Sequence, residues 1–447
     1  MGKKDQRMFA CSVCGATSST WSGKCYECGE WNTLVESMQP PATDDAGQGR
    51  PLQPASVAES ASQDSPRLAT GMRDVDHVLG GGVVPGSVVL LAGQPGIGKS
   101  TVLMQLVSAM AAKRSVLYVS GEESIHQVSA RAKRLGASGE QLQVASSVVA
   151  DDIAASIATG AYDAVVVDSI QTISCKGVAS AAGSVSQITN SSHKLTVAAK
   201  QSNTAVVMVG HVTKEGSIAG PKVLEHLVDV VLQLEGDRYG GFKILRAVKN
   251  RYGSTNEAAI FEMTDKGLQI VDNPSAALLE ERQVSDGSIV LATLEGSRPI
   301  LVEVQALVNR TSYGYPKRAA SGVDLNRINL LIAMLEKRTK LSLAEQDVYI
   351  NIVGGIRLQE PAADLAIAMA IASASKGMQL KRDAVVFGEL GLSGEVRHVP
   401  YAERRIEEAK KLGFSAAIGP VMKKRTSGGY HGVRNVRDAL NHFLERD

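Results

Sequence analysis

The residues best equipped for chemistry form a glycine-rich run directly after a short apolar segment. The run consists of Gly93, Gln94, Pro95, Gly96, Ile97, Gly98, Lys99, Ser100 and Thr101, and a helical pattern follows it to Ala112. Such glycines let backbone N–H groups surround phosphate oxygens, and the following helix adds its positive end. The spacing predicts an ATP-binding P-loop in which Lys99 reaches the β- and γ-phosphates and Ser100 is a magnesium ligand.

Three carboxylates follow other apolar segments of the same region. Asp168 ends an apolar run, and Glu122 and Glu123 come directly after another. Because the carboxyl ends of parallel strands meet at one edge of a sheet, we expect all three near the P-loop. Asp168 is predicted to hold the Mg²⁺ shell, as a Walker B residue does. Either glutamate could be the general base, spacing does not choose between them, and solvated loop carboxylates remain the alternative.

Four of the five cysteines lie within the first 28 residues and pair in two knuckles. They are Cys11, Cys14, Cys25 and Cys28, and a glycine follows each knuckle. This spacing predicts one tetrahedral zinc ion, structural because four thiolates leave no coordination position open. Two disulfides or a redox pair are the alternative, which a reducing compartment disfavours.

Trp21 and Trp31 flank the second knuckle and are expected to pack there, with a partner-binding face as the alternative. Cys175, far downstream, is expected to be a bystander.

The elements that position these residues alternate through the middle of the chain. Apolar strands are predicted at 87–92, 115–120, 163–168 and 204–210, separated by helix-length segments. The pattern is typical of an α/β domain with a mostly parallel sheet and helices on both faces. His211 follows the last of these strands and is either a sensor of the γ-phosphate or merely structural.

Composition excludes a strongly charged protein and one that spans a membrane. The 447 residues predict about three domains, and 48 lysines and arginines against 46 aspartates and glutamates give a net charge of only +2. Any basic surface must therefore be local. No apolar stretch is long enough to span a bilayer and no signal peptide is evident, so a cytoplasmic protein without a membrane partner is expected.

Several motifs together make the chain resemble the bacterial RadA (Sms) family. They are the doubled CxxCG, GQPGIGKS, VSGEES at 119–124, VDS at 167–169, KEGSIAGPKVLEH at 214–226 and KNRYG at 249–253. The resemblance spans essentially the whole chain. It implies an α/β RecA-like P-loop ATPase core with an N-terminal four-cysteine zinc module and a C-terminal Lon-protease-like α+β domain. The expected boundaries are 1–37 for the zinc module, 38–66 for a flexible linker, 67–272 for the ATPase and 273–447 for the last domain.

The resemblance also implies an activity and partners. The family consists of DNA-dependent ATPases of homologous recombination and DNA repair, hexameric rings that promote branch migration or unwinding. The implied cofactors are ATP, Mg²⁺ and Zn²⁺, and the implied partners are single-stranded or branched DNA and a RecA-type recombinase. Lys249 and Arg251 are similar to the Lys-x-Arg fingers by which ring helicases act on a neighbour's nucleotide. A nucleotide-switched scaffold that recruits recombination proteins without moving DNA remains the alternative.

Isolated basic residues are the candidate DNA contacts. The segments at 175–187 and 214–222 match DNA-binding loops of RecA-like ATPases, and the C-terminal domain adds local basic character. The candidates are Lys176, Lys214, Lys222, Lys317, Arg318 and Arg327. Solvated surface charge is the alternative at each position.

The C-terminal domain is expected to lack peptidase activity. The Lon nucleophile motif aligns with 361–364, which places Ala362 where the serine belongs, and the lysine of the dyad falls near Arg405. An alanine cannot attack a carbonyl group, and an arginine cannot serve as a neutral base. The domain is therefore predicted to be a ring scaffold with a DNA surface.

Overall fold

The structure is a computed structural model. It describes residues 8–11, 13, 17–18, 20–27, 29–37, 66–137, 139, 141–211, 223–236, 242–312, 314–380, 383–422 and 428–445. The chain divides into two compact units. The first comprises Met1–Glu235, Leu245–Thr255 and Thr264–Leu268, and the second Gly236–Ile244, Asn256–Met263 and Gln269–Asp447. None of the helices in the described ranges has the length and apolar character needed to cross a bilayer.

A small antiparallel sheet forms the N-terminal module. Its strands are β1 (Met8–Cys11), β2 (Thr17–Ser18) and β3 (Leu34–Ser37), in the order β2-β1-β3. Among its described residues, Cys11, Cys25 and Leu34 form the buried cluster. So small a core cannot hold a fold by itself, and a bound metal is the usual remedy in modules of this size.

Six adjacent parallel strands of a nine-stranded sheet form the centre of the first unit, in the order β9-β4-β8-β7-β5-β6. They are β4 (Val88–Gly93), β5 (Val116–Ser120), β6 (Leu142–Ser146), β7 (Ala164–Asp168), β8 (Ala205–His211) and β9 (Val230–Gly236). Every residue of β4, β5 and β7 is buried, as valine-rich parallel strands covered on both faces should be. The predicted parallel sheet is confirmed, with strand ends displaced by about one residue.

Helices connect these strands. They are α1 (Arg73–Leu79), α2 (Lys99–Ala111), α3 (Ile125–Arg134), α4 (Ala150–Ala158), α5 (Val185–Ser202) and α6 (Val223–Leu227). Helix α3 begins where it does because Ser124 and Gln127 form a reciprocal capping box. This cap fixes the direction in which the chain leaves the Glu122–Glu123 segment.

Three strands follow whose residues are shared between the units: β10 (Phe242–Asn250), β11 (Ala258–Thr264) and β12 (Gly267–Ile270). The second unit then contains a seven-stranded mixed sheet in the order β15-β16-β14-β13-β18-β21-β22. Its strands are β13 (Ser288–Glu295), β14 (Arg298–Arg310), β15 (Arg318–Ser321), β16 (Gln346–Ile352), β18 (Ala384–Val386), β21 (Ala416–Pro420) and β22 (Tyr430–Val433).

The remaining elements of the second unit are helices and short strand pairs. The helices are α7 (Pro274–Leu279), α8 (Leu325–Thr339), α9 (Asp364–Lys376), α10 (Ala402–Lys411) and α11 (Val436–Phe443). The short strands are β17 (Gln379–Leu380) with β23 (Leu444–Glu445), and β19 (Glu389–Leu390) with β20 (Val396–Arg397). Helix α9 is the central one, since its residues are buried from Asp364 to Ser373.

A buried ion pair stands where the Lon-like catalytic dyad was aligned. Ala362 is buried in a 3-10 turn before α9, and Arg405 on α10 is fully buried. The Arg405 guanidinium donates to both carboxylate oxygens of Glu360, at 2.8 and 2.6 Å, and to the carbonyl oxygens of Ala292 and Pro400. Four of its five N–H donors are thus used in structural contacts, and the pair fastens α10 to the segment that precedes α9.

Arg405→Ala is expected to destabilise the second unit strongly. Removing one partner of a buried pair leaves the other charge unpaired and costs about 3–5 kcal/mol. Unfolding in urea, followed by far-ultraviolet circular dichroism, measures the change. The matched control is Arg404→Ala, an exposed neighbour on the same helix, which should change stability by no more than about 0.5 kcal/mol. Equal effects of the two substitutions would contradict a structural role for the pair.

Candidate nucleotide and metal sites

The register of the parallel strands gathers the candidate groups at one edge of the sheet. Gly93 at the end of β4 pairs with His211 at the end of β8, and Ser120 at the end of β5 pairs with Asp168 at the end of β7. The glutamates follow Ser120 directly. The P-loop, the carboxylates and His211 therefore share the carboxyl edge of the sheet, where ligands bind in open α/β folds.

Lys99 lies within the P-loop, at the start of α2. Its side chain is buried, and its ammonium donates to the carbonyl oxygens of Gly93 at 2.9 Å and Gln94 at 3.0 Å. Burial lowers the pKa of Lys99 to about 8, although Asp168 and Glu122 act in the opposite direction. The ammonium is therefore still mostly charged at neutral pH, as a phosphate-binding group must be.

Asp168 is held by a residue that the sequence did not reveal. Its Oδ2 atom accepts a hydrogen bond from the phenol of Tyr118, and both side chains are buried. Burial and the neighbouring carboxylate raise the pKa of Tyr118, so the phenol remains a donor at any working pH. Tyr118 sits in an otherwise apolar strand, and that polar atom in an apolar run is the one signal that could have identified it.

The two glutamates have different surroundings. The Oε1 atom of Glu122 accepts a 2.6 Å hydrogen bond from Ser169 and lies 3.8 Å from Nε2 of His211. The Oε2 atom of Glu123 instead pairs with Nη1 of Arg131 on α3, at 2.5 Å. Glu122 therefore faces the P-loop lysine, whereas Glu123 is occupied by a cation on a neighbouring helix. The geometry favours Glu122 as the general base.

His211 bridges the lysine and the favoured glutamate. Its Nδ1 atom lies 3.1 Å from the Lys99 ammonium, and its Nε2 atom faces Glu122. Burial, assisted by the positive charge of Lys99, lowers the pKa of His211. A neutral ring accepts from the ammonium at Nδ1 and donates from Nε2, so this tautomer satisfies both neighbours.

The side chains at this edge fit a hard divalent cation. Ser100 supplies a hydroxyl in the first turn of α2, and the hydrogen bond from Tyr118 uses only Oδ2 of Asp168. Hydroxyl, carboxylate and phosphate oxygens are the ligands that Mg²⁺ prefers. The donor set is therefore suitable for a nucleotide-bound magnesium ion.

Lys249 and Arg251 lie far from the P-loop of their own chain. Lys249 donates to the carbonyl oxygens of Glu225 at 2.6 Å and Val228 at 2.8 Å. Arg251 pairs at 2.9 Å with the buried Asp229, whose Oδ2 accepts from the backbone N–H of Val88.

Val88 is the first residue of β4, and the P-loop starts at its last. The two ends of a six-residue strand are separated by about 17–20 Å, at roughly 3.3 Å per residue. These two cations and the P-loop of the same chain thus occupy opposite edges of the sheet.

The candidate DNA contacts differ in their availability. Lys176 is exposed and forms a 3.2 Å ion pair with Asp152. Lys214 and Lys222 lie outside the described residues, and Lys317 is exposed. Arg318 is half-buried, with Nη1 3.4 Å from the side-chain oxygen of Asn329.

Arg327 is the weakest of these candidates. It donates through Nε to Oδ1 of Asp364 at 2.8 Å and through Nη2 to the other oxygen. Asp364 is itself buried at the start of α9. Moving the guanidinium to a phosphate would leave that carboxylate unpaired, so this geometry argues against Arg327 as a DNA contact.

The knuckle around Cys25 is built for metal binding. Cys11 and Cys25 are buried together, and Cys14 and Cys28 lie outside the described residues. The backbone N–H of Gly29 donates to the Cys25 carbonyl at 3.0 Å, and Gly29 has a φ of 75°, which favours glycine. One buried thiol from each knuckle, brought together in this way, fits part of a tetrahedral zinc site.

The tryptophans beside this knuckle do not pack as expected. Trp21 is 58% exposed and Trp31 is 69% exposed. The packing expectation is wrong because a module with so few buried residues has no interior large enough for two indole rings.

Comparison with known proteins agrees with the three-part architecture that the sequence predicted. The profile of the rubredoxin metal binding domain matches residues 9–36, that of the AAA domain 54–217, and that of subunit ChlI of Mg-chelatase 326–423. These matches confirm the predicted fold class, with a zinc ribbon, a nucleotide-binding α/β core and a Lon-like C-terminal part. The domain boundaries at 37, 66 and 272 stay predictions.

Full-length relatives are similar along the whole chain. A protein of Listeria monocytogenes is 46% identical over 98% of both chains. One of Pseudomonas aeruginosa is 47% identical over 99% of this chain and 100% of its own. One of Escherichia coli is 42% identical over 99% of both chains. Each of the three is described as DNA repair protein RadA.

Cys25→Ser is expected to abolish zinc binding while nucleotide binding survives. A hydroxyl is a poor replacement for a thiolate ligand, and the core of the parallel sheet contains none of the ribbon's residues. Zinc per chain, measured by mass spectrometry, should fall from one to nearly zero. The matched control is Cys175→Ser, a buried cysteine outside the ribbon, which should retain its zinc. Retention of zinc by Cys25→Ser would refute the assignment.

Proposed function

Since the chain belongs to the RadA family of DNA repair proteins, we propose that it is a DNA-dependent ATPase of homologous recombination and DNA repair. It binds ATP at the P-loop and converts hydrolysis into movement along single-stranded or branched DNA. The observation that carries the proposal is the placement of the P-loop and the Lys249–Arg251 pair at opposite edges of one sheet.

Within one subunit, the groups at the carboxyl edge bind the nucleotide and activate the attacking water. Lys99 neutralises the β- and γ-phosphates, and Ser100 and Asp168 hold the magnesium shell. Bound Mg²⁺ supplies charge neutralisation on the phosphate oxygens. Glu122 takes a proton from the attacking water, and Ser169 and His211 orient its carboxylate from two sides. Glu123 does not act here, because Arg131 holds it.

Completion of the site requires a second subunit. Two cations at the far edge of the sheet cannot reach the nucleotide of their own chain, but they can reach one bound by a neighbour. Lys249 and Arg251 then stabilise the γ-phosphate charge in trans. Each subunit presents both edges, so identical head-to-tail interfaces close into a ring. The hexameric size of that ring rests on the family resemblance.

Each of the two units contains proposed DNA contacts. Lys176 and Lys317 are exposed. Arg318, which follows Lys317 in the sequence, is half-buried. His211 lies against Lys99 of the P-loop. The segment that contains Lys214 and Lys222 begins directly after His211 in the sequence, and this supports coupling between the nucleotide state and DNA binding. Isolated lysines contact phosphates without reading bases, so binding is expected to be salt-dependent and largely independent of sequence.

The zinc ribbon is proposed to receive a protein partner. The indole rings of Trp21 and Trp31 are largely exposed on this module. Tryptophan is among the residues that contribute most at protein interfaces. A RecA-type recombinase is the partner that the family resemblance implies.

Mixing two inactive variants tests the shared site. Lys99→Ala cannot hydrolyse its own nucleotide but has intact fingers, whereas Arg251→Ala binds nucleotide but lacks a finger. Each alone should lose ATP turnover by a factor on the order of 10³, as loss of an arginine finger does in other systems. Equimolar mixtures should regain a measurable fraction, because some interfaces pair an intact P-loop with an intact finger.

The control mixture replaces Arg251→Ala with Asp168→Asn, which damages the same edge as Lys99→Ala. That mixture should show no pairwise recovery beyond the sum of its components, because each subunit lacks part of the same cis site. Equal behaviour of the two mixtures would contradict a finger provided in trans.

A further inference from the structure

We infer that Tyr118 is a positioning residue of the ATPase site, which fixes the Asp168 carboxylate for magnesium binding and is itself fixed by Arg131. The inference rests on the proposed ATP hydrolysis and adds a residue outside the P-loop, the carboxylates and the fingers. Its basis is the path of contacts from Asp168 through Tyr118 and Arg131 to Glu123.

The sheet register explains why Tyr118 reaches Asp168. Tyr118 in β5 pairs with Val166 in the parallel neighbour β7. Asp168 is two residues further along β7, and alternate residues of a strand point to the same face. The phenol and the carboxylate therefore project from one face of the sheet, and the aromatic ring spans the distance between their backbones.

Arg131 determines the direction of the phenolic proton. Its Nη2 atom donates to the Tyr118 oxygen at 3.1 Å, and its guanidinium carbon lies 5.9 Å from the centre of the tyrosine ring. An oxygen that already accepts from Arg131 turns its own hydrogen away from that donor, toward Oδ2 of Asp168. The Nη1 atom of Arg131 is anchored by Glu123 at 2.5 Å.

The hydrogen bond from Tyr118 restricts the rotation of the Asp168 carboxylate. A hydrogen bond to an ionised acceptor is stronger than one between neutral groups, and it holds one oxygen of Asp168 in place. The other oxygen, Oδ1, then has a fixed direction. Without the phenolic hydroxyl, the Asp168 carboxylate loses this fixed orientation, so magnesium binding weakens while phosphate binding by the P-loop does not.

Tyr118→Phe tests this, since phenylalanine fills the same core volume and removes only the hydroxyl. The first readout is the affinity of a fluorescent N-methylanthraniloyl-ADP, measured in EDTA and again in Mg²⁺. We expect Tyr118→Phe to bind this nucleotide with wild-type affinity in EDTA. It should lose most of the increase in affinity that Mg²⁺ gives to the wild type. The second is the Mg²⁺ concentration at half-maximal ATP turnover, which should rise about tenfold or more. Arg131→Ala should shift both readouts in the same direction.

The matched control is Tyr162→Phe, which removes a hydroxyl bonded at 2.8 Å to Gln143, away from this edge. It should match the wild type in both readouts. Wild-type Mg²⁺ dependence in Tyr118→Phe, or equal loss of affinity with and without Mg²⁺, would overturn the inference. If the wild-type protein itself neither bound the nucleotide nor hydrolysed ATP, the proposed function would fail instead, and the two failures are thereby distinguished.

Discussion

The parallel direction of the central strands is the constraint on which the site depends. Because β4, β5, β7 and β8 run the same way in register, the P-loop, the glutamates, Asp168 and His211 must meet at one edge. The same constraint keeps groups at the other strand ends away from that edge. The P-loop and the Lys249–Arg251 pair lie at opposite edges, which is the arrangement that the proposed action of these two cations on a neighbour's nucleotide requires.

The partners of two buried charged side chains, Asp229 and Arg405, indicate what each side chain does. Asp229 is buried, accepts a hydrogen bond from the backbone N–H of Val88 and pairs with the side chains of Arg251 and Lys200, so the Arg251 guanidinium is held within its own chain. In the second unit the Arg405–Glu360 pair stabilises the fold instead of performing chemistry. A position that aligns with a catalytic residue can therefore be polar and buried in a structural role, and the nature of its partners identifies that role.

The sequence predicted those features that local spacing determines. The P-loop, the strand that ends at Asp168 and the parallel sheet follow from short-range patterns. The distinction between Glu122 and Glu123 does not, because it depends on Ser169 and Arg131, which only the folded chain brings near. The sequence made Arg327 a candidate DNA contact for the same reason, since its partner Asp364 is 37 residues away in the chain. Tyr118 was missed because its hydroxyl is one polar atom in an apolar strand.

ATP turnover per subunit, measured over a range of protein concentrations with and without single-stranded DNA, tests the divided site most directly. An isolated subunit has no finger at its nucleotide, so turnover should be very low in dilute solution. It should rise steeply as subunits assemble, and DNA should shift that rise to lower protein concentration and increase its final level. A turnover per subunit that was substantial, independent of concentration and unaffected by DNA would contradict both the shared site and the DNA-coupled motor.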